Sequence, residues 1–144
     1  MKIQIYIGEM LEQMNMPQAN SQQPAGLTLN KLVNPTLFYK LPFIPGSLDL
    51  AVIVATYGVD TSVNHTTRLL IRKSGNHEPI AITDVIPLPA NFLPGNEGIN
   101  LNLEFKKVII RDEGEYEVVF VFDDEEHALE FTIKGNEILQ SRVE

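Results

Sequence analysis

An all-β fold, an antiparallel sandwich of about seven to nine short strands, is what this sequence predicts. Three observations carry the prediction. Short apolar runs recur along the chain, several of them in strict alternation with polar residues. Turn signals built from Gly, Pro, Asn and Asp separate the runs. Helical periodicity is weak throughout, so no alternation of strands with helices is expected. With 144 residues, 44% of them hydrophobic, a single domain over 1–144 can bury a core without staples.

The elements follow in order. Ile3, Ile5 and Ile7 alternate with Gln4 and Tyr6, which predicts a first strand with one apolar face. Residues 13–26 are rich in Gln and Asn, carry two prolines and no charge, and read as a long loop. Two short strands, Leu27 to Leu32 and Thr36 to Leu41, are separated by Asn34-Pro35, and Pro42 to Gly46 reads as a turn. Leu48 to Tyr57 is apolar on both faces and β-branched at its centre, as a strand covered on both sides would be.

Thr66 to Lys73, the turn Ser74-Gly75-Asn76 and Pro79 to Thr83 form a hairpin pattern, and Pro87 to Gly98 reads as a long loop. Ile99, Leu101, Leu103 and Phe105 then alternate with Asn100, Asn102, Glu104 and Lys106, the pattern of a half-buried strand. Glu115 to Phe122 and His127 to Ile133 read as a closing hairpin joined by the acidic turn Asp123 to Glu126. Residues 136–144 are expected to be a tail or a short terminal helix.

The segment Asp112-Glu113-Gly114-Glu115-Tyr116 sharpens the fold class. It resembles the Asp-x-Gly-x-Tyr corner of immunoglobulin-like sandwiches, in which glycine permits the bend and the tyrosine hydroxyl bonds backbone a few residues upstream. Val118 stands where an antibody domain has its second cysteine, and the chain has no tryptophan. The resemblance therefore implies immunoglobulin-like architecture without membership of the antibody superfamily. The run Ile44 to Val52, with the closing Gly114-Glu115-Tyr116-Glu117-Val118 segment, also resembles a family of small bacterial and phage β-sandwich proteins of unknown function. That second resemblance implies a fold and a bacterial or phage origin, and no chemistry.

Composition excludes several functions. Eleven Lys and Arg against 19 Asp and Glu leave a net charge of -8, and the basic residues are scattered, so nucleic acid is not an expected partner. Membrane binding is disfavoured for the same reason, and no apolar stretch approaches a bilayer-spanning length. No cysteine is present, which removes disulfides, thiolate catalysis and Cys-bound zinc. The opening segment is too short and too polar for a signal-peptide core, so a cytoplasmic location is expected.

Candidate chemistry is sparse. His65, His77 and His127 are too far apart in sequence to suggest a metal pair, and Asp123 to Glu126 lacks the order of a calcium loop. No serine lies in a nucleophile elbow, and no glycine-rich phosphate loop occurs. No catalytic residue, metal site or cofactor is assigned. Tyr6, Tyr39, Tyr57, Phe38, Phe43 and Phe92 are not all committed to core faces, so rings could stack on a small ligand or a sugar.

The expected function is a non-catalytic, cytoplasmic sandwich that works by protein contact, as an adaptor or assembly component, with a phage or mobile-element protein as a special case. A protein partner or self-association is expected. The contact surface is placed on the first strand, at Ile3, Gln4, Ile5, Tyr6 and Ile7, with proline at Gln4 tolerated only where that amide faces solvent. A small-ligand or carbohydrate-binding module is the second reading and an unrecognised hydrolase the third.

Overall fold

The computed structural model describes residues 1–15, 28–92 and 98–138. Among the described residues the chain forms eleven strands and no helix. They are β1 (Lys2–Gly8), β2 (Met10–Asn15), β3 (Thr28–Val33), β4 (Phe38–Ile44), β5 (Gly46–Tyr57), β6 (His65–Lys73), β7 (Pro79–Ile82), β8 (Ile86–Leu88), β9 (Asn100–Ile110), β10 (Gly114–Phe122) and β11 (Glu125–Ile138).

Three sheets result. One has the order β1–β5–β9, a larger one runs β4–β11–β10–β6–β7 with β8 also paired to β6, and β2–β3 form a hairpin of their own. The pairing is antiparallel except for β4, which lies parallel to β11. The expectation of a wholly antiparallel fold is corrected there. A parallel neighbour needs a long connection, and no local pattern near Phe38 reports a partner that lies almost a hundred residues downstream.

Both larger sheets feed one core. Ile7, Leu50, Val52, Val54, Phe105 and Ile110 come from the smaller sheet, and Leu69, Ile71, Val118, Phe120, Phe131 and Ile133 from the larger, all in one buried cluster. Each such side chain is worth roughly 1.5–3 kcal/mol when fully buried. The β2–β3 hairpin lies against the outer side of the smaller sheet. There the Leu11 amide donates to Glu104 Oε1 at 2.6 Å and Leu32 crowds Gly8. Ala51, opposite Glu104, is consequently fully buried.

Several sequence boundaries shift. Of the loop expected over 13–26, Gln13 to Asn15 belong to β2 and the rest lies outside the described residues. Pro42 sits in β4 and not in a turn: the register passes from Leu41↔Gly135 to Phe43↔Glu137, so Pro42 is asked for no donor. The turn shrinks to the cis Ile44-Pro45 peptide. The acidic connection is two residues long, because Asp123 and Asp124 both take positive φ (46° and 67°) and Glu125 already opens β11. Asn136 to Ile138 continue β11 as strand where a helix was an option; 139–144 lie outside the described residues. In β9, Lys106 and Lys107 together oppose Asp49, a bulge in which Asp49 Oδ1 accepts from the Lys107 amide at 2.8 Å. The bulge resets the alternation, so Val108 and Ile110 point inward after Phe105.

Candidate functional site

Among the described residues β1 is an edge strand with β5 as its one neighbour. Its orientation follows from the ladder. In an antiparallel pair, opposed residues either bond each other or both turn away. Thr56 sends its amide to the Ile99 carbonyl at 3.0 Å, away from β1, so Ile3 opposite it turns its own amide and carbonyl away from β5. By alternation Ile5 and Ile7 do the same, and the Ile7 carbonyl indeed accepts from the Thr36 amide at 3.2 Å. Among the described residues no backbone group pairs with Ile3 or Ile5 on that side.

Gln4 therefore bonds β5, and proline at Gln4 would break the ladder inside the sheet. Ile5 is the residue whose amide faces the open side. The side chains sort the other way: Ile3, Ile5 and Ile7 face the core, while Lys2, Gln4 and Tyr6 are exposed on the outer face. Tyr6 donates its hydroxyl to Gln4 Oε1 at 2.5 Å.

A groove of about 520 Å³ continues from this edge, lined by Ile5, Tyr6, Ile7, Pro35, Thr36, Leu37 and Leu129. It runs along the seam where β1 approaches β11 and the entry to β4. A second cavity, about 500 Å³, lies beyond it against Glu9, Tyr39, Lys40, Ser47 and Asp49. Tyr39 is 6% exposed, and its hydroxyl is buried without a partner. Burial, reinforced by the Glu9 charge, pushes that hydroxyl's pKa well above the usual tyrosine value.

The residues of the corner lie across β11 from β4, Gly114 and Tyr39 both pairing with Ile133. Gly114 has a φ of 141°, a conformation that favours glycine, and opens β10. Tyr116 is buried and donates its hydroxyl to the Asp112 carbonyl at 2.6 Å. The Asp112 carboxylate meets Lys73 Nζ at 3.6 Å. The Glu113 carboxylate accepts from the Gly135 amide at 3.1 Å, tying the corner to β11. Tyr116 and Tyr39 both pack against Phe131, at ring separations of 6.1 and 5.7 Å.

Titratable groups cluster in two further places. His65 is 11% exposed; its Nδ1 faces Asp123 Oδ2 and its Nε2 the Asp60 carbonyl, both at 2.5 Å. Two acceptors facing one ring favour the doubly protonated imidazole. The hydrogen bond to Asp123 raises its pKa against the opposing effect of burial. For Asp123, burial acts upward, but the bonds from His65 and the Thr66 amide outweigh it and lower the pKa. On the outer face of the larger sheet, Arg72 binds Glu117 at 2.6 Å and Glu126 at 3.0 Å, pinning β6, β10 and β11 together.

His77 and His127 do not join His65, and among the described residues no group of three or more His, Asp or Glu could hold a metal ion. No described helix is long and apolar enough to cross a membrane. Of the six rings singled out in the sequence, Tyr39 is core and the other five are exposed. Tyr6 and Tyr57 share the outer face of the β1–β5 pair, Tyr57 opposite Lys2. The groove, the orphan Tyr39 hydroxyl and the His65–Asp123 pair carry no sequence signal, because each joins residues distant in the chain. Against known proteins, the sequence matches no family model and no curated protein.

Proposed function

We propose that the chain is a non-catalytic, immunoglobulin-like β-sandwich of the cytoplasm that works by protein contact through the free edge of β1. The strand orders support the architecture: β7–β6–β10–β11 follows the C′–C–F–G order of a variable-type sheet, and β1–β5–β9 the A–B–E order of its partner sheet. An assembly component of bacterial or phage origin fits this reading.

The observation that carries it is the unpaired backbone of Ile3 and Ile5. Exposed edges are templates for strand addition, and proteins blunt those they do not use. Elsewhere this chain does so: Pro42 lies within β4, and the Thr36 amide occupies the Ile7 carbonyl of β1. At Ile3 to Ile5 there is no proline, bulge or charge. Hydrogen exchange tests the reading. In any complex the protein forms, the amides of Ile3 and Ile5 should gain protection; a complex that leaves them exchanging as in the monomer overturns it.

A second reading, a carbohydrate-binding module, rests on the outer face of the smaller sheet. Tyr6 and Tyr57 stand about four residues apart along the strands, roughly 13 Å, with Gln4, Ala55 and Asn100 in the row between them. Rings flanking neutral amides suit a neutral sugar. Loss of glycan-array binding in Tyr57→Ala would separate this reading from edge contact, which leaves Tyr57 idle.

A further inference from the structure

We infer that the occupant of the β1 edge is a second copy of this chain, paired antiparallel about a two-fold axis that passes between the two Gln4 residues. The inference rests on the edge-contact reading above and names its partner. A closed pair needs antiparallel strands, because a parallel ladder bonds its two strands unequally and cannot be two-fold symmetric.

The register follows from which groups are free. Ile3 and Ile5 offer a donor and an acceptor each, while the Ile7 carbonyl is held by Thr36. Opposing Ile3 with Ile5 of the second copy uses all of these groups, two bonds in each of two symmetric pairs. A shift by one residue turns the apolar face outward. Centring on Ile5 needs the occupied Ile7 carbonyl, and centring on Ile3 sets Ile5 against Met1, which lies outside the strand.

Side chains agree with that register. On the outer face it places Lys2 against the partner's Tyr6 and Gln4 against the partner's Gln4, so no like charges meet. The strand carries no acid, which matters between two chains of net charge -8. The ladder ends before Ile7, where Thr36 already lies against the strand, so the paired stretch is Ile3 to Ile5 with Lys2 and the partner's Tyr6 facing each other at its ends. The interface is small, roughly 1,200 Å² or less, so the dimer is expected to exchange rapidly and must be trapped to be scored.

The chain's lack of cysteine makes the trap simple. Facing Gln4 residues form a non-hydrogen-bonded pair with Cα atoms about 4.5 Å apart, within disulfide range. Gln4→Cys should convert under mild oxidation to a disulfide-linked dimer of doubled mass. Lys2→Cys mixed with Tyr6→Cys should give a mixed dimer, while each of these alone stays largely monomeric. The wild type should show a concentration-dependent rise in mass by light scattering, with protection of the Ile3 and Ile5 amides. A folded Gln4→Cys protein that stays monomeric under oxidation, together with unprotected amides in the concentrated wild type, overturns the second copy. If those amides are then protected only in a complex with a different protein, edge contact stands and self-pairing falls. If they are protected in no complex, both fall.

Discussion

Two regions that meet at Phe131 treat their polar groups differently. At the corner, the Tyr116 hydroxyl, the Asp112 and Glu113 carboxylates and the Gly135 amide all have partners. Along the seam between β1 and β4, among the described residues, the Ile3 and Ile5 backbone is open and the Tyr39 hydroxyl is buried alone. Both tyrosines touch the same Phe131. The difference teaches that burial and satisfaction are set separately. The corner ties β10 to β11 and to Lys73, and the seam leaves free the strand-pairing groups that the proposed edge contact would use.

The contrast is broken most severely at the shared ring. Phe131 is 1% exposed and lies between the two tyrosines, so Phe131→Ala should cost about 3–5 kcal/mol through lost transfer energy and the cavity left behind. Ile5→Ala, at the half-buried seam, should cost about 2 kcal/mol or less. Denaturant unfolding of the two variants measures both. Equal losses would show that Ile5 at the seam is packed as tightly as the ring the two regions share.

Tyr116→Phe removes only an oxygen. It leaves the Asp112 carbonyl without its donor and should cost about 1–3 kcal/mol with the fold intact. An unchanged denaturation midpoint would remove the corner from the list of elements that stabilise this fold.

The turn between β10 and β11, at the far end of β10 from the corner, adds a pH dependence. His65 has its folded pKa raised above the unfolded value of about 6.5, so its contribution is full below that value and fades as pH rises through the folded pKa. Asp123 has its pKa lowered, so its contribution is full above about 4 and fades as pH falls through the folded pKa. The pair should stabilise most between about pH 4 and 6.5. Unfolding measured from about pH 5.5 to 9 should show wild type losing stability relative to His65→Gln. Parallel profiles would mean that the imidazole is neutral and one ring nitrogen unpaired.

Period and turn chemistry are local, and they are legible in the sequence. The alternation at Ile3, Ile5 and Ile7 and at Ile99 to Phe105 places β1 and β9, and the β-branched run after Leu48 places β5. Pairing is not local. Nothing near Phe38 indicates a parallel neighbour at Thr132, and the facing of the β1 amides depends on a bond between Thr56 and Ile99, on another strand. The Asp123-Asp124 turn is hidden for a different reason. Four consecutive acids read as one loop, and only the left-handed backbone of the first two sets the closure. The site is the part least written in the sequence, because an open edge is defined by which strands fail to pair.

The finest test of the contrast applies one substitution to its other side. Tyr39→Phe deletes a hydroxyl that is buried with no acceptor, so it removes a desolvation cost and breaks no bond. The ring's edge contact with Phe131, at 76° between planes, does not need the oxygen. Stability should hold or rise by up to about 1 kcal/mol, the reverse of Tyr116→Phe. Glu9 sharpens the comparison, because its charge helps to raise the Tyr39 pKa and lies on the same cavity wall. If Tyr39→Phe instead costs as much as Tyr116→Phe, and Glu9→Gln costs the same with no further loss in the double variant, then the hydroxyl reaches the Glu9 carboxylate in solution. The seam would then be closed at that point by a bond of its own, and only the Ile3 to Ile5 edge would remain open.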